Sequence, residues 1–280
     1  MSKNSKNKLI SPKDQGKTLL LYLREELQIS NRQAKDLLDR RSVFVNGKRV
    51  WIAKHKLKIG DLVEYPPVQE KRERSPKIEI VYKDPFLLAV NKAPGLISDR
   101  EKNSVEDLLR KQEGNPSIRA LHRLDKETSG LLMFLYNSQH REAYLDLFRR
   151  QEIAKVYQCL LAGQPQEYQI TVRKVLDSKT AETNFRFLKR QGEFCKAECK
   201  ISTGRLHQIR RHALEINCRV AGDRKYAQNM PISTLEKSLP RQMLHAYGVE
   251  FICPKSKKKI QIHAPLAPDF QKAVKQMGLS

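Results

Sequence analysis

The feature that most constrains this chain is an abrupt change of character between residues 122 and 134. A polar stretch, His122-Arg123-Leu124-Asp125-Lys126-Glu127-Thr128-Ser129-Gly130, runs straight into the apolar Leu131-Leu132-Met133-Phe134. Turn residues followed by a short apolar run predict a loop feeding a buried strand. Such a strand gives the loop a rigid base. It would hold one carboxylate, Asp125, among the cations His122, Arg123 and Lys126. Taken alone, an aspartate of this kind is more often a surface-turn residue paired with a nearby Arg or Lys.

Charge narrows the partners. Lys and Arg number 54 against 31 Asp and Glu in 280 residues, a formal charge of +23. An excess of this size favours a polyanion, with the salt-sensitive binding that counterion release produces. The competing use, a basic amphipathic helix on a membrane, would concentrate the charge on one segment, whereas here it is spread along the chain. No apolar run approaches the roughly 18 residues of a membrane-spanning helix. The basic start, Met1 to Lys8, lacks the apolar stretch of a secretory signal, so a cytoplasmic location and no membrane partner are expected. The five cysteines (Cys159, Cys195, Cys199, Cys218, Cys253) are odd in number and show no Cys-x-x-Cys spacing. Neither a disulfide framework nor a closed zinc site is expected. His207 and His212 do not share a helical face, and no metal is assigned.

Residues 1–15 read as a basic disordered tail, and 16–66 as a small separate unit. Leu19, Leu20, Leu23 and Leu27 recur at helical spacing, and Ser30 is a suitable N-cap for a second helix carrying Ala34, Leu37 and Leu38 inside. Val43 to Val50, with Asn46-Gly47 at its centre, predicts a hairpin, and a last strand follows Gly60. Arg32, Lys35, Arg40, Arg41, Lys48 and Arg49 decorate the outside. Residues 67–77, proline-bearing and highly charged, read as a linker. From 78 to 280 the chain reads as one larger domain of short β-prone runs. These include Ile78–Tyr82, Phe86–Asn91, Lys155–Leu160, Ile170–Leu176, Thr183–Leu188 and Phe194–Ile201, with a closing hairpin at 247–263. Helices are expected after Ser104, over 138–150, near His207 and over 267–277. On the Lys155–Leu160 strand, alternation puts Lys155, Tyr157 and Cys159 on one face. A tyrosine so placed is usually plain core.

Three dense motifs raise the reading above composition. His122-Arg-Leu-Asp-Lys-Glu-Thr-Ser-Gly-Leu-Leu132 resembles the signature of the RluA family of pseudouridine synthases, and the family's catalytic aspartate falls on Asp125. Lys155-x-Tyr157 resembles its second motif, whose tyrosine packs against the target base. Thr203-Gly-Arg-Leu-His-Gln-Ile-Arg210 resembles its third, whose last arginine pairs with the aspartate. Gly222-Asp223-x-x-Tyr226 and Arg241-x-x-Leu244-His-Ala246 follow in the family's order, with Leu244 at a pocket-lining position. Asn91 to Leu96 departs from the pattern: its proline comes one residue late, and Ser98-Asp99 stands near where a histidine is usual. The resemblance implies an α+β fold with a large mixed, mostly antiparallel sheet, flanking helices and a central cleft. Residues 16–66 look like the S-four RNA-binding domain shared with a small-subunit ribosomal protein, and that likeness implies that their second helix and hairpin face RNA.

The implied reaction cuts the N1–C1′ bond of a uridine and rejoins the uracil through C5. No atoms are gained or lost, so no cofactor is required, and no phosphate-loop or nucleotide fingerprint occurs. The carboxylate can stabilise an oxocarbenium-like ribose, attack C1′ or remove the 2′ proton. Burial alone would raise its pKa, and a guanidinium from Arg210 would lower it again while fixing its orientation. Tyr157 offers a flat face and a phenol near C5. The base must flip out of its stack, and Arg123 resembles the arginine that fills the vacated space, a phosphate clamp being the plainer alternative. His122 is expected beside it. The expected partner is RNA, of the 23S type or transfer RNA, met by a monomer. Two rivals remain: a non-catalytic RNA-binding or ribosome-assembly protein, and a nucleoside hydrolase using Glu127 as a second carboxylate.

Overall fold

A computed structural model describes residues 6–67, 76–227 and 231–280. The chain divides into two compact units, Met1–Arg74 and Ser75–Ser280. Each has its own apolar core.

In the first unit, α1 (Leu19–Glu26) and α2 (Asn31–Asp39) start where their caps place them. Thr18 accepts from the Leu21 N–H. Ser30 and Gln33 form a reciprocal capping box, which satisfies donors the first turn leaves free. Their inner faces meet at Leu19, Leu23, Ala34 and Leu38. The hairpin joins the strands Phe44–Val45 and Lys48–Arg49 through Asn46 and Gly47, both at positive φ, as a tight turn of this kind demands. A further strand, Leu62–Tyr65, pairs with Phe44–Val45.

One expectation is overturned here. Residues 6–15 are not a disordered tail: Lys6–Leu9 forms a strand antiparallel to Leu62–Tyr65. The side chains of Lys6–Leu9 are all exposed, so no apolar pattern announces the strand. It is made by backbone pairing to an open edge, by the Lys8–Glu26 ion pair at 2.6 Å and by burial of Ile10 directly after it. Of the expected linker, residues 68–75 lie outside the described residues, as do residues 1–5.

The second unit is built on an eleven-stranded sheet. Its central strands are Leu87–Lys92, Ser129–Leu135, Leu244–Ile252 and Ala154–Ala162. Ser129–Leu135 is buried along its whole length. Leu132 and Phe134 face one core, and Leu131, Met133 and Leu135 face the other. A strand covered on both sides must be apolar without alternation, which is why the sequence shows a continuous run. The first core is covered by the helix Val105–Glu113 and the second by the helix Arg141–Arg149. The sheet is mixed and mostly antiparallel, as expected. Its exception is at the centre, where Leu244–Ile252 runs parallel to Ser129–Leu135, with His245 opposite Ser129 and Ala246 opposite Gly130. The approach is close enough to require glycine. Gly130 has φ +109°, and a Cβ there would lie 2.2 Å from the Ala246 carbonyl oxygen. The Asp125 loop therefore sits at the one crossing where two central strands run side by side.

Candidate active site

The loop carrying Asp125 is braced from below. Arg241, 4% exposed, donates to the Glu127 carbonyl at 2.9 Å and to Ser129 Oγ at 3.0 Å, and forks onto Asp269 at 2.7 and 2.9 Å. Ser129 Oγ in turn lies 2.9 Å from His245 Nδ1. His245 Nε2 faces the Ala264 carbonyl at 3.3 Å, an oxygen that only accepts, so the proton sits on Nε2 and Nδ1 accepts from Ser129. Burial pushes this imidazole down to about 4, which keeps it neutral. Lys92, wholly buried, gives its ammonium to the carbonyls of Ala93, Leu96 and Lys126 at 2.9–3.1 Å. It ties the 93–96 turn to the Asp125 loop.

Arg210 arrives from the other side of the crevice. The turn before its helix is pinned by Gln208, whose side chain accepts from Thr203 Oγ1 at 2.8 Å and from the Arg205 N–H at 3.1 Å, and donates to the Glu182 carbonyl at 2.8 Å. His207, at φ +53°, closes the turn, and the helix Gln208–Leu214 follows. Arg210 is 5% exposed. It forks onto Asp223 at 2.6 and 2.9 Å and extends Nη1 to Asp125 Oδ2 at 3.0 Å. Burial opposes its charge, but Asp223, and then Asp125, outweigh that and hold it above the usual guanidinium value. Asp223 fixes the guanidinium in plane, and the guanidinium fixes one oxygen of Asp125. The other oxygen, Oδ1, takes no hydrogen bond from the described residues, and the side chain keeps 27% of its surface.

The crevice over Asp125 is lined by Arg123, Tyr157, His207, Arg210 and Leu244, with Ile201 and Ile209 as apolar wall. Asp125, Tyr157, Arg210, Leu244 and Arg123, expected from separate motifs, thus share one pocket. Among the described lining residues Asp125 is the one carboxylate, and Glu127 lies outside, so the two flanking acids of a glycosidase are not assembled. Burial, then the Asp125 charge, push the Tyr157 phenol well above its ordinary value. It stays protonated at neutral pH and can offer a ring face or a hydrogen bond, not a phenolate.

His122 does not join the crevice. Its Nε2 accepts the Met133 N–H at 3.1 Å and its ring tilts against Phe148 at 5.5 Å. Burial and the nearby Lys155 ammonium push it down to about 3, so it is not a cation beside Asp125. The expected substrate contact is corrected to a neutral brace on the buried strand, because the His122 ring folds back onto the Met133 N–H, past the middle of Ser129–Leu135, and away from the crevice. Pattern reading also gave no role to Asp223 or His207. His207 Nδ1 lies 2.9 Å from the Tyr226 hydroxyl and its Nε2 3.7 Å from Asp125 Oδ2. Their presence in dense motifs was a signal, but their partners lie too far along the chain to be inferred locally.

A carboxylate held by a buried arginine in a crevice with an apolar wall, on a strongly basic protein, fits an enzyme that acts on a polyanion. Comparison with known proteins gives the class its name. The family described as RNA pseudouridylate synthase matches residues 86–215. The ribosomal large subunit pseudouridine synthase C of Vibrio cholerae is 30% identical, over 91% of this chain and 91% of that one. The tRNA pseudouridine synthase C of the same organism is 29% identical, over 72% of this chain and 96% of its own. The fold matches the human RNA pseudouridylate synthase domain-containing protein 4 with a TM-score of 0.61 at 20% identity, covering 71% of this chain and 93% of that one. The chain belongs to the RluA-type family of RNA pseudouridine synthases. It is an RNA-modifying isomerase, and the non-catalytic reading falls.

Proposed function

We propose that the enzyme isomerises uridines of large-subunit ribosomal RNA in the cytoplasm, as a monomer, with Asp125 as the catalytic carboxylate. The observation that carries this is the Asp125–Arg210 contact at 3.0 Å, which joins two motifs 85 residues apart and leaves Asp125 Oδ1 open to the crevice. Oδ1 is the atom that faces the ribose, to attack C1′, steady its developing charge or take the 2′ proton. Tyr157 packs against the flipped base, Leu244 closes its other side, and Arg123 takes the place the base vacates. The reaction balances without a cofactor. Ribosomal RNA is favoured over transfer RNA because the large-subunit relative aligns over 91% of this chain and the transfer-RNA relative over 72%.

Residues 16–66 serve in this reading as an S-four-like clamp on the RNA. Two capped helices and an Asn-Gly hairpin support it, with Lys35, Arg40, Arg41, Lys48 and Arg49 all exposed. Arg32, in the same helix, belongs to the set by sequence. Arg41 lies 4.9 Å over the half-exposed Trp51 ring and Arg49 5.3 Å over Phe44, which holds their charge outward. Such contacts reach phosphate and set register rather than reading sequence.

The test is Asp125→Asn, with carbodiimide mapping of ribosomal RNA modified by each form. Modification falls to background while RNA affinity stays within a few-fold. Equal modification by the two forms would remove Asp125 from the chemistry. Mapping ribosomal and transfer RNA from cells with and without the gene identifies the target, and a missing site confined to transfer RNA overturns the ribosomal assignment.

A further inference from the structure

The loop from Asn91 to Arg100 is bound to the Asp125 loop along its length. Lys92 Nζ and the Gly95 N–H both reach the Lys126 carbonyl, at 2.9 and 2.8 Å. Ser98 Oγ donates to the Leu124 carbonyl and accepts from the Leu124 N–H, each at 3.0 Å. These bonds deliver the next residue, Asp99, against Arg123, which lines the crevice, while Asp99 itself lines a neighbouring hollow with Arg100. Its side chain is only 10% exposed, with Oδ1 2.9 Å from Arg123 Nε and Oδ2 3.3 Å from Arg100 Nε. Oδ1 is closed off from water and accepts no aligned hydrogen bond, so Arg123 compensates it by charge at close range while Arg100 lies against Oδ2. Arg123 itself is 65% exposed at the side chain.

We infer that Asp99 is a positioning residue for base flipping: it grips the Nε side of Arg123 and presents the terminal amino groups over the mouth of the crevice. This rests on the reading that Arg123 enters the space left by the extruded uridine. A buried carboxylate that loses one of two cationic partners is left less compensated, with only the exposed Arg100 on Oδ2, so Arg123 is held near Asp99 rather than sweeping the solvent. A free, exposed arginine would lose its rotamer freedom at the moment of flipping. One already ion-paired at its Nε side has lost part of it beforehand and keeps its outer donors for the RNA. The carboxylate also competes with phosphate for Arg123, which steers it from backbone clamping toward the stack. Arg100, 83% exposed, shares the carboxylate but does not line the crevice.

The test uses the full-length enzyme and two RNAs with the same target uridine, one stacked in a helix and one in an unstructured strand, with 2-aminopurine beside the target to report unstacking. Asp99→Asn lowers kcat/KM on the stacked RNA by about tenfold and on the unstructured RNA by less than about twofold, because the advantage arises only where a stack must be opened. The 2-aminopurine signal of the bound stacked RNA falls in parallel. Asp99→Glu restores most of the loss. Arg123→Lys, an exposed substitution that keeps the charge but removes Nε, gives the same selective loss. The double variant Asp99→Asn/Arg123→Ala is no worse than Arg123→Ala. Equal losses on both RNAs, additivity with Arg123→Ala, or a silent Asp99→Asn would each overturn the assignment. If Arg123→Ala itself shows no preference for the stacked RNA, the role of Arg123 fails; if it does and Asp99→Asn is silent, only the role of Asp99 fails.

Discussion

The two units carry positive charge in opposite ways. In Met1–Arg74 the cations stand on the outside: Lys35, Arg40, Arg41, Lys48 and Arg49 are exposed, over a core made of two helices and a hairpin. In Ser75–Ser280 the basic side chains that brace the Asp125 loop and the strands behind it are inside: Lys92 is wholly buried, and Arg210, Arg219 and Arg241 are 4–5% exposed, whereas Arg123 at the crevice stays exposed. Each of these groups has its acceptors in place, Arg219 on Glu236, Arg241 on Asp269, Arg210 on Asp223 and Asp125, and Lys92, whose amine is pushed by burial down to about 7, on three carbonyls. The difference separates two jobs of one residue type. Exposed charge attracts a phosphate backbone over a Debye length and is weakened by salt. Buried charge is costly unless paired, and once paired it fixes geometry that salt does not reach.

That contrast can be broken at its strongest point. Arg210→Lys keeps the charge but removes the fork that spans Asp223 and Asp125. A charge-assisted pair is worth about 1.5–3 kcal/mol, so kcat falls by roughly 10- to 150-fold with KM little changed. The loss is the same at 50 and 300 mM salt; a loss that disappears at low salt would mean that Arg210 acts as surface charge. At the other end, removing residues 1–74 leaves a catalytic unit whose cores contain none of the deleted side chains. KM for structured RNA rises about tenfold or more, kcat changes by less than about twofold, and the salt dependence becomes shallower. An unchanged KM would show that the exposed cations serve another purpose.

The smallest effect concerns a buried group that must stay neutral. His245 has a folded pKa of about 4 against about 6.5 when unfolded, so protons favour the unfolded chain. The stability it contributes is fully present above about pH 6.5 and is lost as the pH falls toward 4. Denaturant titration at pH 7.5 and 5.5 should show a loss of about 1.4 kcal/mol from this residue, and His245→Asn should narrow the difference. A His245→Asn protein with the same acid sensitivity as the parent would remove His245 from that balance.

Much of the site is legible in the sequence. Asp125, Tyr157 and Arg210 each lie in a dense motif, and the loop-then-strand pattern at 122–134 placed Asp125 on a rigid base. The capped helices and the Asn46-Gly47 hairpin were equally readable, because caps and tight turns are settled by residues a few positions apart. The strand at Lys6–Leu9 was not, because its side chains are exposed on both faces and only pairing with a distant edge makes it a strand. His122 misled for a related reason: a histidine beside an arginine looks like a cation until the Met133 N–H and the Phe148 ring claim it.

The sequence by itself determined which side chains the crevice would gather: a carboxylate, an arginine and a tyrosine from three separate motifs, on a chain with an excess of positive charge. Only the tertiary structure decided which groups meet. It set Asp223 behind Arg210, Asp99 beneath Arg123, and Gly130 against Ala246 where two central strands run parallel. The physical reason is that caps, turns and periodicity act over a few residues, whereas charge pairing and strand contact depend on which distant backbones come within a few ångströms.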